Sequence, residues 1–200
     1  MNRLWRYLGR DRVLPSAHDE GLIPTPDPLG EVDLVRMVVR IADFESLLAR
    51  MDLRELGAMM IKFYGAVADA IMEADADVNR FCGSEIVGHF NLLHKVDEAR
   101  IVEGAMNAYR AAQSAFDAEW NVSIGVGLCR GVAIAGAFGS SNRVTVTAFG
   151  AADICAHRLA ERGAALHICD EFASHFSRPQ IPAHSWISIE QHRGVSPSGL

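Results

Sequence analysis

Apolar residues along the chain follow two different spacings, which separate predicted strands from predicted helices. Residues 34–42, LVRMVVRIA, form a run rich in β-branched residues, which indicates a mostly buried strand that carries two arginines. Asp52 then precedes a stretch with helical spacing, and Glu55 stands three positions after it, as in a capping box. The apolar positions of this predicted helix are Leu53, Leu56, Met60, Phe63, Val67 and Ile71. We expect them to face the core.

The later segments alternate strand pairs with helices. Residues 78–90 predict two short strands with a turn at 82–84, and residues 122–138 predict a second pair punctuated by Gly131 and Gly136. The other predicted elements are helices at 92–119 and 151–162, strands at 165–168 and 185–190, and a helical turn after Asp170. This order favours an α+β fold with a largely antiparallel central sheet and helices packed on one side of it.

The first 30 residues differ from the rest of the chain. A start that contains Trp5, Arg6, Tyr7 and Arg10 leads into a proline-rich stretch that cannot sustain a helix. We interpret residues 1–30 as an arm and linker, and residues 31–200 as one domain. Packing, or a plain linker, is the simplest interpretation of the arm, and contact with a partner or a membrane interface is the alternative.

Composition narrows the classes of function. The chain has 200 residues, 50% of them hydrophobic, and a net charge of -6 without any Lys/Arg-rich run, which argues against a nucleic-acid partner. No stretch of 18 apolar residues without charge occurs, so we expect a soluble, cytoplasmic domain. The four cysteines stand far apart without a CxxC pair. We interpret them as small buried residues in a reducing compartment.

Four short motifs in order carry a resemblance to a known family. They are RIADFE at 40–45, RFCGS at 80–84, IGVGLCRG at 124–131 with the glycines that follow it, and TAFG at 147–150 with the helix up to Leu159. Together they resemble the class III adenylate/guanylate cyclase catalytic domain over about 34–195. The resemblance implies a ferredoxin-like cyclase-homology fold that pairs into a dimer with its clefts at the subunit interface.

The resemblance also implies that the metal site of the family is lost. In that family two aspartates hold the Mg²⁺ or Mn²⁺ ions, and Arg40 and Ser84 stand at the matching positions. An arginine has no lone pair for a cation, and a neutral hydroxyl is a poor replacement for a carboxylate. Asp43, Glu45 and Glu85 lie nearby, but a shift of one residue along a strand should turn a side chain to the opposite face. We therefore expect no metal and no other cofactor.

The second set of family groups comes from the other subunit, and it is only partly retained. The purine-reading lysine, its polar partner, the ribose-orienting asparagine and the transition-state arginine correspond to Arg80, Thr147, Ile154 and Arg158. Ile154 has no hydrogen-bonding group, so the orienting contact is lost. Arg158 keeps its residue type, although a surface ion pair with Glu161 would explain it equally well.

Three functions stay open at this level. One is a catalytically inactive, dimerising regulatory module, so that the chain would not be an enzyme on its own. Another is the non-metal-binding subunit of a heterodimeric cyclase. The third is a metal-free nucleotide or phosphate sensor whose contacts would be Arg40, Arg80, Thr147 and Arg158.

Two local interpretations accompany these alternatives. Arg40 is expected to pair with Asp43 or Glu45 at the end of its strand. Asp153 and His157, with Cys155 between them, lie on one predicted helix but lack further ligands, so zinc is disfavoured.

Overall fold

The computed structural model describes residues 28–92, 95–116, 120–140, 143–174 and 187–190. Its strands are β1 Pro28–Ile41, β2 Asp77–Cys82, β3 Glu85–Phe90, β4 Ile124–Ser140, β5 Arg143–Gly150, β6 Leu166–Cys169 and β7 Ile187–Glu190. Its helices are α1 Phe44–Arg50, α2 Leu53–Glu73, α3 Glu98–Ser114, α4 Ala151–Ala160 and α5 Asp170–Ser174. The predicted arm lies outside the described residues up to position 27, and positions 28–30 already belong to β1.

The strands form one mixed sheet in the order β2-β3-β1-β4-β6-β7, and β5 pairs with the second half of β4. Pairing is antiparallel except between β4 and β6 and between β6 and β7. The four-strand part, β2-β3-β1-β4, with α2 before β2 and α3 before β4, is the ferredoxin-like arrangement. The predicted α+β class with a largely antiparallel sheet is confirmed.

Helices pack on both faces of the sheet, so the prediction that they cover one side is wrong. Gly88 of β3 lies against Ile71 of α2, whereas Gly127 of β4 lies against Ala156 of α4. In the pairing register Gly88 shares its row with Met37, and Gly127 shares the next row with Val38. Neighbouring rows of a strand point to opposite faces, so α2 and α4 lie on opposite sides.

Helix α4 approaches the sheet very closely because glycines face it. A Cβ placed on Gly125 or Gly127 would lie 1.9 Å or 2.0 Å from a carbonyl oxygen of α4. No side chain larger than hydrogen fits at either position. The backbone of α4 therefore packs directly against β4. This close packing sets the distance between the polar side chains of α4 and the sheet.

Two predicted elements have different bounds. The strand pair predicted for 122–138 is one continuous strand, β4, and its pairing partner is β5, which was not predicted. Gly131 and Gly136 do not break the strand, because Gly131 pairs with Leu34 and Gly136 with Thr147. The helix predicted from position 92 begins instead at Glu98, since the Asp97 side chain caps it by accepting from Arg100 N at 3.0 Å.

The capping box predicted at the start of α2 is confirmed in part, because the Asp52 side chain caps the helix and accepts a hydrogen bond from Arg54 N at 2.8 Å. Among the helices that the structure describes, none combines the length and the apolar character that a membrane crossing requires.

The cysteines depart from their interpretation in two ways. Cys129, Cys155 and Cys169 are buried, as expected, but Cys82 is exposed. In addition, Cys129 and Cys155 are joined as a disulfide, which their distant sequence positions did not indicate.

Candidate functional site at the cleft beside helix α4

The two positions matched to the metal aspartates come together at one end of the sheet. Arg40 is the penultimate residue of β1, and Ser84 lies in the β2–β3 turn. The backbone of the next residue, Ile41, donates from its N–H to Ser84 O at 2.9 Å. Gly83 adopts a positive φ of 55° in this turn, and its carbonyl accepts a hydrogen bond from the Tyr64 hydroxyl. The turn is therefore held against both β1 and α2.

Arg40 pairs with carboxylates that are distant in sequence, so the expected pairing with Asp43 or Glu45 is wrong. Its Nη1 lies 3.6 Å from Glu85 Oε2 and 3.5 Å from Glu161 Oε1. The register of β1 and β3 places Arg40 directly opposite Glu85, and Glu161 follows the last turn of α4. The alternative pairing of Glu161 with Arg158 is also wrong, because Glu161 turns to Arg40.

Glu85 does not turn away from the metal positions, contrary to the argument from a one-residue shift. Its Oε2 also lies 3.2 Å from His157 Nδ1. Burial alone would raise the pKa of Glu85, but its interaction with His157, followed by the charges of Arg40 and Arg80, outweighs burial and lowers it. Glu85 is thus ionised, and its side chain is 12% exposed. The same oxygen, Oε2, lies close to both Arg40 and His157.

His157 continues this network to Arg80. Its Nε2 lies 3.1 Å from Arg80 Nη2. Because arginine can only donate, an imidazole that carries its proton on Nδ1 donates to Glu85 and accepts from Arg80. The four side chains Arg40, Glu85, His157 and Arg80 therefore form one continuous polar chain from β1 to β2 across α4.

A second, deeper ion pair fixes the other end of α4. Arg36 is 1% exposed, donates to Ala148 O at 2.6 Å and pairs with Asp153. Burial lowers the pKa of Arg36 to about 10 despite the nearby Asp153 carboxylate. Asp153 also accepts from Gly150 N at 3.1 Å. Asp153 and His157 each contact an arginine, Arg36 and Arg80 respectively.

The residue opposite Arg36 is a buried histidine that sequence reasoning left without a role. His89 is fully buried, and neither ring nitrogen has a hydrogen-bond partner among the described residues. Burial, followed by the charges of Arg36 and Arg80, lowers its pKa to about 3. His89 is therefore neutral in the folded protein at ordinary pH.

An open cleft of about 520 Å³ lies on the outer side of α4. Its lining residues are Arg80, Phe149, Gly150, Asp153, Ile154, His157 and Arg158. Three positions predicted from the resemblance, Arg80, Ile154 and Arg158, thus share one cleft, and no described residue forms an ion pair with Arg158. The structure brings these predicted residues together, and it adds Phe149 as an aromatic wall.

The fourth predicted position, Thr147, lies on β5 and does not line this cleft. Its hydroxyl donates to Asn79 Oδ1 at 3.2 Å, and Asn79 Nδ2 donates to Val146 O at 3.1 Å. Sequence reasoning missed Asn79, although a polar residue directly before Arg80 in a strand was a usable signal.

Around the cleft, several large apolar side chains are exposed. Ile134 pairs with Phe149 in the β4–β5 register, so the two share a face, and Val132 lies two residues before Ile134 on that face. The exposed fractions of Val132, Ile134, Phe149 and Ile154 are 61%, 43%, 54% and 52%. We call Val132, Ile134 and Phe149 the apolar face, whereas Ile154 belongs to α4 and shares only the cleft with Phe149. Exposed apolar side chains that share a face are candidates for contact with a partner.

The donor set at the metal positions does not suit a pair of divalent cations. Arg40 and Ser84 provide no carboxylate, and the carboxylates that lie nearest to Arg40 are already paired, Glu85 with Arg40 and His157 and Glu161 with Arg40. Mg²⁺ requires oxygen ligands in a near-ideal octahedron, and a guanidinium beside them repels the ion. We therefore derive no metal-dependent step for this chain.

Comparison with known proteins finds similar folds among solved structures but no similar sequence. No family model and no curated protein matches the sequence. The structure is similar to the adenylyl cyclase CyaB from P. aeruginosa, with 16% identity, a TM-score of 0.65, and 75% of this chain and 81% of the other covered. It is similar to the guanylate cyclase domain of RhGC from Catenaria anguillulae, solved with GTP, with 18% identity, a TM-score of 0.63, and coverage of 72% and 82%.

A third similar structure is a non-canonical dimeric guanylyl cyclase domain from the RhoGC fusion protein of the aquatic fungus Blastocladiella emersonii. It has 16% identity and a TM-score of 0.63, and 72% of this chain and 83% of the other are covered. Likeness at this level of identity concerns the fold. The chain has the fold of the class III adenylyl and guanylyl cyclase catalytic domain, as the resemblance implied.

Proposed function

We propose that this chain, which has the cyclase catalytic-domain fold, is a catalytically inactive cyclase-like domain that acts through dimerisation as a regulatory module. The observation that carries the proposal is the pairing of Arg40 with Glu85 and Glu161. By the resemblance, a permanent cation of the protein itself would stand where the cyclases have a carboxylate. Without ordered metals, the attacking hydroxyl and the triphosphate lose both activation and charge neutralisation.

The loss extends to the cleft. Ile154 is 52% exposed on the cleft wall, at the position where the resemblance implies an asparagine that orients the ribose. An isoleucine cannot make that hydrogen bond. Orientation contributes roughly 7–11 kcal/mol to the acceleration of a well-positioned reaction, so its loss adds to the loss of the metals. Arg158 alone does not restore catalysis.

Dimerisation is supported by the apolar face. Val132, Ile134 and Phe149 would be covered if two copies paired through this face, and removal of such side chains from water favours association. The similar Blastocladiella emersonii domain is described as a non-canonical dimer in one structure and as a monomer in another, so support from the comparison is limited to the ability of this fold to pair. An isologous pair would place the same face of each copy at the interface.

Two measurements on the purified chain test the proposal. Incubation with ATP or GTP plus Mn²⁺ or Mg²⁺ is expected to yield no cyclic nucleotide, and light scattering is expected to give the mass of a dimer. The double variant Val132→Glu, Phe149→Glu should give a monomer, because charges on the apolar face oppose its burial. Ile61→Glu changes an equally apolar residue, 75% exposed on α2, and should stay dimeric. Cyclic product, or a monomeric mass for the unmodified chain, would contradict the proposal.

A second candidate is the non-metal-binding subunit of a heterodimeric cyclase. Arg80 and Arg158 line one cleft, as the resemblance requires of such a subunit, and this specific observation favours it. Ile154 opposes it, for the reason given above. Mixing the chain with a cyclase domain that carries both aspartates should leave the rate of cyclic nucleotide formation unchanged. A gain in rate that Arg158→Ala abolishes would establish the second candidate instead.

The same cleft suits the third alternative, a metal-free phosphate or nucleotide sensor, since Arg158 is a cation without an ion-pair partner among the described residues. Calorimetry with ATP, GTP and cyclic nucleotides, with and without Mn²⁺, separates it from the first two. Metal-independent heat that disappears in Arg158→Ala would support the sensor.

A further inference from the structure

Three of the four cysteines meet in the interior between β4, α4 and β6. Cys129 lies on β4, Cys155 on α4 and Cys169 at the end of β6. Their Sγ atoms all lie within 4.8 Å of one another, and each residue is at most 2% exposed. The register explains two of them, because Leu128 pairs with Ile168 and the next residues along these parallel strands are Cys129 and Cys169.

Within this cluster, Cys129 and Cys155 are the bonded pair. Their Cα atoms are 6.1 Å apart, inside the range in which disulfides form without movement of the backbone. The Sγ of Cys169 is instead occupied by a hydrogen bond from Phe172 N at 3.4 Å. The geometry therefore favours the Cys129–Cys155 disulfide over either pairing that includes Cys169.

We propose that Cys129 and Cys155 form a reversible disulfide that fastens α4 to the sheet, and that its redox state sets how firmly the wall of the cleft is held. Helix α4 carries Ile154, His157 and Arg158, and Cys155 sits among them. The cross-link closes a segment with a sequence separation of 26, so it limits the freedom of both the β4–β5 ribbon and α4.

The chemistry is an exchange with a low-molecular-weight disulfide such as oxidised glutathione. A thiolate of one cysteine attacks the small disulfide and releases one thiol. The second cysteine then attacks the mixed disulfide, forms the Sγ–Sγ bond and releases the other thiol. Two electrons pass from the protein to the small disulfide, which becomes two thiols, and excess reduced glutathione reverses the sequence.

A metal held by the three sulfurs is the competing interpretation, and charge argues against it. Three thiolates around Zn²⁺ or Cu⁺ carry a net negative charge, whereas a disulfide and a thiol are neutral. The cluster is buried, and the carboxylates of Asp170 and Glu171 follow Cys169 directly. Burial raises the pKa of the Cys169 thiol, and the charges of Glu171 and Asp170 raise it further. The environment therefore favours the neutral arrangement.

The test counts thiols in the full chain after equilibration with oxidised or reduced glutathione, acid quench, denaturing alkylation and mass spectrometry. In the oxidised protein Cys129 and Cys155 should escape alkylation and peptide mapping should recover them linked, whereas the exposed Cys82 should be alkylated or carry glutathione. All four cysteines should be alkylated in the reduced protein. Reduction should lower the Tm by on the order of 10 °C.

Two variants control this experiment. Cys82→Ser changes the exposed cysteine and should keep both the bridge and the redox-dependent Tm, whereas Cys155→Ser should show a Tm that no longer depends on glutathione. Four free thiols under oxidising conditions, a bridge that contains Cys169, or one equivalent of zinc or copper in anaerobically purified reduced protein would each overturn the proposal. If a variant does not fold, the thiol count and the Tm of the unmodified chain under oxidising and reducing conditions are enough to test the proposal.

Discussion

Arg40 of β1 and Glu85 of β3 lie directly opposite each other in a paired strand register, with Nη1 3.6 Å from Oε2. Glu85 also meets His157, so the carboxylate on this face of the sheet is bound by protein donors on two sides. The positive charge that balances Glu85 is therefore the guanidinium of Arg40 and not a bound metal ion. A metal ion would have to displace Arg40 before it could use Glu85.

Restoration of the two carboxylates should create a cation site. The double variant Arg40→Asp, Ser84→Asp removes the guanidinium and places two new carboxylates beside Glu85, so Mn²⁺ should bind roughly tenfold tighter or better than to the unmodified chain. Calorimetric titration with Mn²⁺ measures this. Arg40→Ala is the matched control, because it frees Glu85 without adding a ligand, and comparable Mn²⁺ binding by Arg40→Ala and the double variant would contradict the expectation.

Glu85→Gln should lower the free energy of unfolding at pH 7 by about 1–3 kcal/mol, since it removes the charge that both Arg40 and His157 meet. The pKa of Glu85 is depressed in the folded state, so its contribution is complete above its unfolded pKa of 4.5 and is lost as pH falls through the folded value. Urea unfolding between pH 3 and 7 should show the deficit of the variant shrinking in acid. A deficit independent of pH would show that the carboxylate charge is not what stabilises this end of the sheet.

His89 should make stability depend on pH in a different window. Its pKa is about 3 in the folded protein against 6.5 in the unfolded chain, so below pH 6.5 the unfolded state binds a proton that the folded state does not. Stability from this group is complete above pH 6.5 and falls by about 1.4 kcal/mol for each pH unit down to about pH 3. His89→Leu should remove this slope, as measured by urea unfolding at pH 7.5, 6, 5 and 4.

Glu85→Gln is the matched control for the His89 experiment. The pH dependence that Glu85 contributes to stability lies below pH 4.5, so the slope of stability between pH 6.5 and 5 should persist in this variant. His89→Leu should also be no less stable than the unmodified chain at pH 7.5, since it removes two buried nitrogens without described partners. An unchanged slope in His89→Leu would mean that another group takes up the proton.

The sequence predicted the elements whose patterns are local. Helix α2 and the β2–β3 hairpin were predicted because apolar spacing and a glycine turn specify them over a few residues. Strand β5 was not predicted, although valine and threonine alternate over 144–147 as they do in many strands. The partners of Arg40 were missed for a physical reason. Glu161 is 121 positions away, and only the sheet register and the docking of α4 bring it near.

Helix α4 should separate from the sheet when a single methyl group is added beneath it. In Gly127→Ala the new Cβ would lie 2.0 Å from Ala156 O and 2.8 Å from Ala160 N, both backbone atoms that cannot give way without movement of the helix. Overpacking of this kind costs about 1–3 kcal/mol or more. Gly65→Ala on α2 adds the same methyl group into open space and should stabilise by about 0.5–1 kcal/mol through helix propensity. Thermal unfolding of the two variants should shift in opposite directions, and a neutral Gly127→Ala would show that α4 does not rest on β4 as closely as described.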